Sequence, residues 1–85
     1  MIQEFEKVIE IGIKDTLNNS VKIIPSQVQN NSEKMLFIKG EVNKYIDNVH
    51  NDNTFTEVLT IQEINYSTEK VYKRVMKQIS NLLYS

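Results

Sequence analysis

Met35-Leu36-Phe37-Ile38-Lys39-Gly40-Glu41-Val42-Asn43-Lys44-Tyr45-Ile46 decides the architecture of this 85-residue chain. Read as a strand, it places Leu36, Ile38, Val42 and Ile46 on one face, at the two-residue period of a sheet. Read as a helix, it aligns Met35, Ile38, Val42, Tyr45, Ile46 and the following Val49 at the 3.6-residue period. The unbroken apolar run 35–38 and Gly40, a poor residue for a helix interior, favour the strand. Asp47, Asn48, Asn51, Asp52 and Asn53 then supply the turn of a hairpin.

The second arm of that hairpin is residues 54–66, rich in Thr, Val, Ile and Tyr. Its apolar residues fall on both faces: Val58, Ile64 and Tyr66 on one, Phe55, Leu59 and Ile61 on the other. A third, short strand is expected at Val21-Lys22-Ile23-Ile24, which Pro25 confines to an edge or a strand end. Residues 26–34 are polar and read as a loop.

The flanks are clearer. In residues 2–18, Ile2, Phe5, Val8, Ile9, Ile13 and Leu17 form one helical stripe. Glu4, Glu6 and Glu10 come early and Lys14 late, as the helix dipole prefers. Ile11 falls off the stripe and points to a contact outside the domain's own core. Asn18-Asn19-Ser20 reads as a stop. In residues 67–84, Val71, Tyr72, Val75, Met76, Ile79, Leu82 and Leu83 form a second stripe, with Ser67 or Thr68 as the cap. The expected fold is therefore α+β: an N-terminal helix, an antiparallel β-sheet of about three strands with a central hairpin, and a C-terminal helix in a single domain, 1–85. The alternative is a mostly helical chain.

A core of this size supplies only about 3–5 kcal/mol by itself. The chain has no cysteine, which removes disulfides and thiolate metal sites. Self-association or a protein partner is then the expected extra source of stability, and a homo-oligomer the expected state. No apolar run approaches the roughly 20 residues of a membrane span, and the N-terminus lacks the pattern of a signal peptide. With the lack of cysteine this suggests a cytoplasmic protein without membrane contact. The chain has no alanine but many Asn, Ile and Lys, residues with A/T-rich codons. That usage suits a low-GC bacterium or its bacteriophage.

No constellation for catalysis is visible. His50, the single histidine, lies in the polar stretch 47–53 and reads as a solvated turn residue. No second His or any Cys completes a triad or a zinc site. Residues 47–53 lack the glycine and distal glutamate of a calcium loop. Gly12 and Gly40 are too isolated to cradle a phosphate. Glu57 and Glu63 would stand roughly 20 Å apart along a strand, too far for paired acid–base work. The chain is read as no enzyme, with no cofactor and no metal.

Charge is uneven. Residues 1–66 carry a net −4 and residues 67–85 a net +3. Lys70, Lys73, Arg74 and Lys77 share the side of the last helix opposite its apolar stripe. Such a side is normally just solvated; it is also the candidate contact for an acidic partner or nucleic acid, which the slightly acidic chain does not favour. Ile11, Phe55, Leu59 and Ile61 are the candidate protein interface, because a two-sided strand suits a sheet covered by another chain.

The order of elements resembles small siphophage tail-terminator and tail-completion proteins. Val21-Lys22-Ile23-Ile24-Pro25-Ser26-Gln27-Val28 after the first helix looks like their strand-and-turn, and Leu59-Thr60-Ile61-Gln62-Glu63-Ile64-Asn65-Tyr66-Ser67 is similar to their final strand. The resemblance implies a non-catalytic subunit of a homohexameric ring in the virion. Two other readings stand beside it. One is a phage-encoded, anti-CRISPR-like inhibitor of a bacterial defence system, acting in the host cytoplasm by occluding a protein or nucleic-acid site. In that case the dispersed acids Glu33, Glu41, Asp47, Asp52, Glu57 and Glu63 could imitate phosphates. The other is a small DNA-binding regulator that uses the basic helix.

Overall fold

Three helices, α1 (Ile2–Ile23), α2 (Asn31–Asn51) and α3 (Ile61–Tyr84), make up most of the computed structural model, which describes residues 1–52 and 54–84. There is no strand among the described residues. The expected antiparallel sheet and its hairpin are thus overturned in favour of the mostly helical alternative. Glu6 pairs with Lys70 and Glu10 with Arg74, so α1 and α3 run in the same direction. Asn31 at the start of α2 donates to the carbonyl of Leu83 at the end of α3, so α2 runs the opposite way. The result is an up-down-up bundle 43 Å long, in which α1 packs along both other helices and these touch each other less.

The core is the sum of three stripes. Phe5, Ile9, Ile13 and Leu17 come from α1, Ile38, Val42 and Ile46 from α2, and Ile64, Val71, Val75 and Met76 from α3, with Leu59 added by the connection before α3. These positions explain why residues 35–46 are helical. A β-branched residue costs a helix at most about 0.7 kcal/mol. Burying an Ile or Val side chain contributes about 1.5–3 kcal/mol. The helical period buries Ile38, Val42 and Ile46 together against α1, whereas Leu36, counted on for the strand face, stays exposed.

Local signals set the boundaries. α1 runs past Asn18-Asn19-Ser20, because Ser20 is buried and its hydroxyl donates to the carbonyl of Thr16 at 2.7 Å. The expected strand 21–24 is the end of this helix. It stops where Pro25 forces Ile24 into an extended conformation, φ −56° and ψ 126°. α2 begins inside the expected loop: Asn30 is extended and its side-chain oxygen accepts from the Glu33 amide at 2.8 Å. The expected turn 47–53 is helical through Asn51, and Asn53 lies outside the described residues. α3 starts six residues before the expected cap at Ser67. Thr60 and Glu63 form a capping box, with the Thr60 amide donating to Glu63 Oε1 at 2.9 Å and the Glu63 amide to Thr60 Oγ1 at 3.1 Å.

Two of the four expected interface residues are part of the fold instead. Leu59 is buried in the core, and the Phe55 ring meets Phe5 edge-on with centroids 5.2 Å apart. Alternation along a strand had placed both on an open face. In fact a single helical turn, closed by the Leu59 amide donating to the Phe55 carbonyl at 2.8 Å, folds them over the end of the bundle.

The two glycines serve different ends. Gly12 lies directly beneath the Tyr45 ring, and a Cβ there would occupy the ring's position. Gly40 faces open solvent with nothing near it. Gly40→Ala should therefore stabilise the protein by about 0.5–1 kcal/mol, through the restricted unfolded chain and better helix propensity. Gly12→Ala should show that gain only in a Tyr45→Ala background. Thermal melts of the parent, the three single variants and the Gly12→Ala/Tyr45→Ala double variant check this; a Gly40→Ala variant that melts lower contradicts the helix.

Candidate functional site

The four cations singled out from the sequence do lie on the outward side of α3, but they are not equally free. Lys70 Nζ is 2.7 Å from Glu6 Oε1, and Arg74 Nη2 is 2.6 Å from Glu10 Oε2. Both reach across the seam to α1. Lys73 pairs within its own helix with Glu69 at 2.9 Å, both side chains well exposed. Such an i, i+4 pair is worth only about 0.3–0.5 kcal/mol and yields easily to a partner. Lys77 makes no ion pair among the described residues.

These pairs hold the carboxylates in their charged form. Glu6 titrates below the usual 4.5, first because Lys70 hydrogen-bonds to it, with help from Ser67 and Arg74. Glu10 is lowered first by Lys14, 2.9 Å away, and then by Arg74. A carboxylate with a depressed folded pKa stabilises the fold above its unfolded pKa and loses that contribution as pH falls through the folded value. Stability should therefore drop as the pH is lowered from about 5 towards 3. Replacing Lys70 and Arg74 together by Gln should flatten the drop. Urea midpoints measured across that range check it, and an unchanged slope in the double variant would show that the α1–α3 pairs contribute nothing.

Tyr66 joins this surface. It is 70% exposed, one turn before Lys70, whose ammonium lies 5.9 Å from the ring centroid. On the expected strand 54–66 it would have stood apart from these cations. The capping box Thr60-x-x-Glu63 was the signal that would have started the helix early enough to include it. Tyr66, Glu69, Lys70 and Lys73 line a shallow notch of about 280 Å³. A somewhat larger groove, about 350 Å³, runs along the α1–α2 seam past Thr16, Ser20, Ile23, Glu41, Tyr45 and Asn48. Tyr45 donates to the Val8 carbonyl there, and its hydroxyl titrates above its usual value because of burial and then the charge of Asp15.

The remaining expected sites do not gather. Ile11 is exposed midway along α1 and Ile61 is exposed at the first turn of α3, at separate places on the surface. His50 is half-buried on α2 rather than solvated in a turn, with Nε2 3.0 Å from Thr68 Oγ1. The Thr68 hydroxyl also lies 2.7 Å from the Ile64 carbonyl. The contact with His50 joins α2 to α3. Among the proposed phosphate mimics, Asp52 is taken up by Thr54 and Glu63 by its own cap. Among the described residues no three His, Asp or Glu side chains come together as metal ligands, and no helix is long and apolar enough to cross a membrane.

Comparison of the chain with protein-family models, curated proteins and solved structures found no match. An exposed tyrosine ring offers an apolar plate of the kind protein interfaces favour at their centres, and the lysines beside it add positive charge of the kind that suits their polar rims.

Proposed function

We propose that this chain is a phage-encoded inhibitor of a bacterial defence system, which works in the host cytoplasm by covering a site on a defence protein with the outward face of α3. The observation that carries the reading is Tyr66 standing exposed beside Lys70 and Lys73, with Lys77 one turn further on. Small size and A/T-rich residue usage agree with such an origin. A protein target suits the surface better than nucleic acid, because Lys70 and Arg74 are committed to Glu6 and Glu10 and a phosphate track is interrupted. A tail-assembly role would work through sheet edges, and the described residues contain no sheet.

The test is phage plating on hosts with and without CRISPR or restriction systems, each host expressing the chain. A rise in plaque count confined to one defended host is expected. Tyr66→Ala with Lys73→Glu should abolish it, since losing a central aromatic anchor costs about 2 kcal/mol, roughly 30-fold in affinity. No rise in any defended host sinks the proposal.

A further inference from the structure

The bundle sorts its charges by end, which the linear sequence conceals. Gly12 against Tyr45 and Glu10 against Arg74 mark one level across the three helices. Below it lie residues 1–12 and 45–76, with eight carboxylates and four cations, a side-chain net of −4. Above it lie residues 13–44 and 77–84, with three carboxylates and six cations, a net of +3. The separation has a local cause. α1 and α3 both start at the lower end, where their dipoles favour carboxylates, and both finish at the upper end, where they favour cations.

Each end also keeps large apolar side chains in solvent. Val58 and Ile61 are more than half exposed at the acidic end. Val21, Ile23, Leu36 and Tyr84 are more than half exposed at the basic end. Ser32, one turn from Leu36 on α2, accepts from the Tyr84 hydroxyl at 3.3 Å, which brings Leu36 and Tyr84 onto one surface.

We infer that the partner for these ends is a second copy of this chain, joined head to tail, with the acidic end of one copy against the basic end of the next. Opposite charge makes this pairing attractive, whereas like ends meeting would oppose −4 to −4 or +3 to +3. Such a contact is heterologous, so it adds copies in line or closes a ring. The cross-section of 22 × 17 Å limits a purely end-on contact to about 400 Å² per partner, about half the standard size. Association is therefore weak and driven by concentration. It leaves the α3 face free and stands whether or not that face binds a defence protein.

Light scattering and sedimentation over a rising concentration series test this. At low salt the average mass should climb to 1.5-fold or more above the 10.0 kDa monomer, and 0.5 M salt should reduce the climb by screening the ends. Ile61→Arg blocks the acidic end and Leu36→Asp the basic end, at exposed positions that leave the melt essentially unchanged. Each variant alone should stay monomeric. Their equimolar mixture should form dimers and nothing larger, because only one complementary pair of ends survives. A mass that stays at 10.0 kDa for the unaltered chain overturns the inference. So does a single variant that still associates, since that places like ends together, and so does a mixture that fails to pair.

Discussion

Phe5→Ala is expected to remove about 3–5 kcal/mol of folding stability. Phe5 is fully buried, and its ring is the floor on which the connection between α2 and α3 rests through Phe55 and Leu59. Truncation leaves a cavity at a place where the chain is tethered on both sides and cannot collapse freely. A domain of this length has on the order of 4–13 kcal/mol in total. The variant should therefore melt far lower, and at the weaker end of that range it is largely unfolded at room temperature. Phe55→Ala should cost less, because Phe55 is only half-buried. The double variant should reveal a coupling of about 0.5–1.5 kcal/mol for the edge-on pair. Urea unfolding of the three variants measures this. A Phe5→Ala protein as stable as the parent would mean that residues 55–59 do not seal the core and face a partner after all.

The same residues show what the sequence could and could not disclose. Residues 2–18 of α1 and 67–84 of α3 were legible because their stripes repeat every three or four residues with few intruders, whereas 21–23 and 61–66 passed for strands. α2 was not, because Leu36 and Phe37 extend Met35 and Ile38 into a continuous run. Leu36 belongs to the surface and Phe37 only partly to the interior. Nothing in a list of apolar residues says which of them a neighbouring helix will cover. The absence of alanine sharpened the problem. Positions that alanine often fills are here taken by Thr, Asn, Val and Ile, which lends every helix the composition of a strand. The caps at Asn30 and Thr60 outweigh that bias, since each satisfies amides that only a helix leaves open. For the candidate face, the cations were legible as a helical side. Their commitments were not, because Glu6 and Glu10 lie 64 residues earlier in the chain than Lys70 and Arg74.

Proline substitutions along α2 put its helicity to a direct test with a large expected effect. Asn43 is exposed on this helix. Asn43→Pro removes an amide donor from the helix interior and drives the ring into the carbonyl one turn back, at a cost of about 3 kcal/mol or more. Asn31→Pro replaces the first helical residue, whose amide has no intrahelical acceptor, and the preceding Asn30 is already extended, as a residue before proline must be. Its main loss is the hydrogen bond from the Asn31 side chain to the Leu83 carbonyl, worth about 1 kcal/mol. The two variants should thus differ by roughly 2 kcal/mol or more in urea unfolding, although each exchanges one asparagine for one proline. The comparison isolates the backbone, because both differ from the parent by the same change of side-chain chemistry. If residues 35–46 were a strand preceded by a loop, position 31 would lie outside any ladder. Position 43 would then lose one cross-strand bond at most, and nothing if its amide faced outward. Equal stability of the two variants would therefore return residues 35–46 to the hairpin, and a deficit confined to Asn43→Pro fixes them as helix.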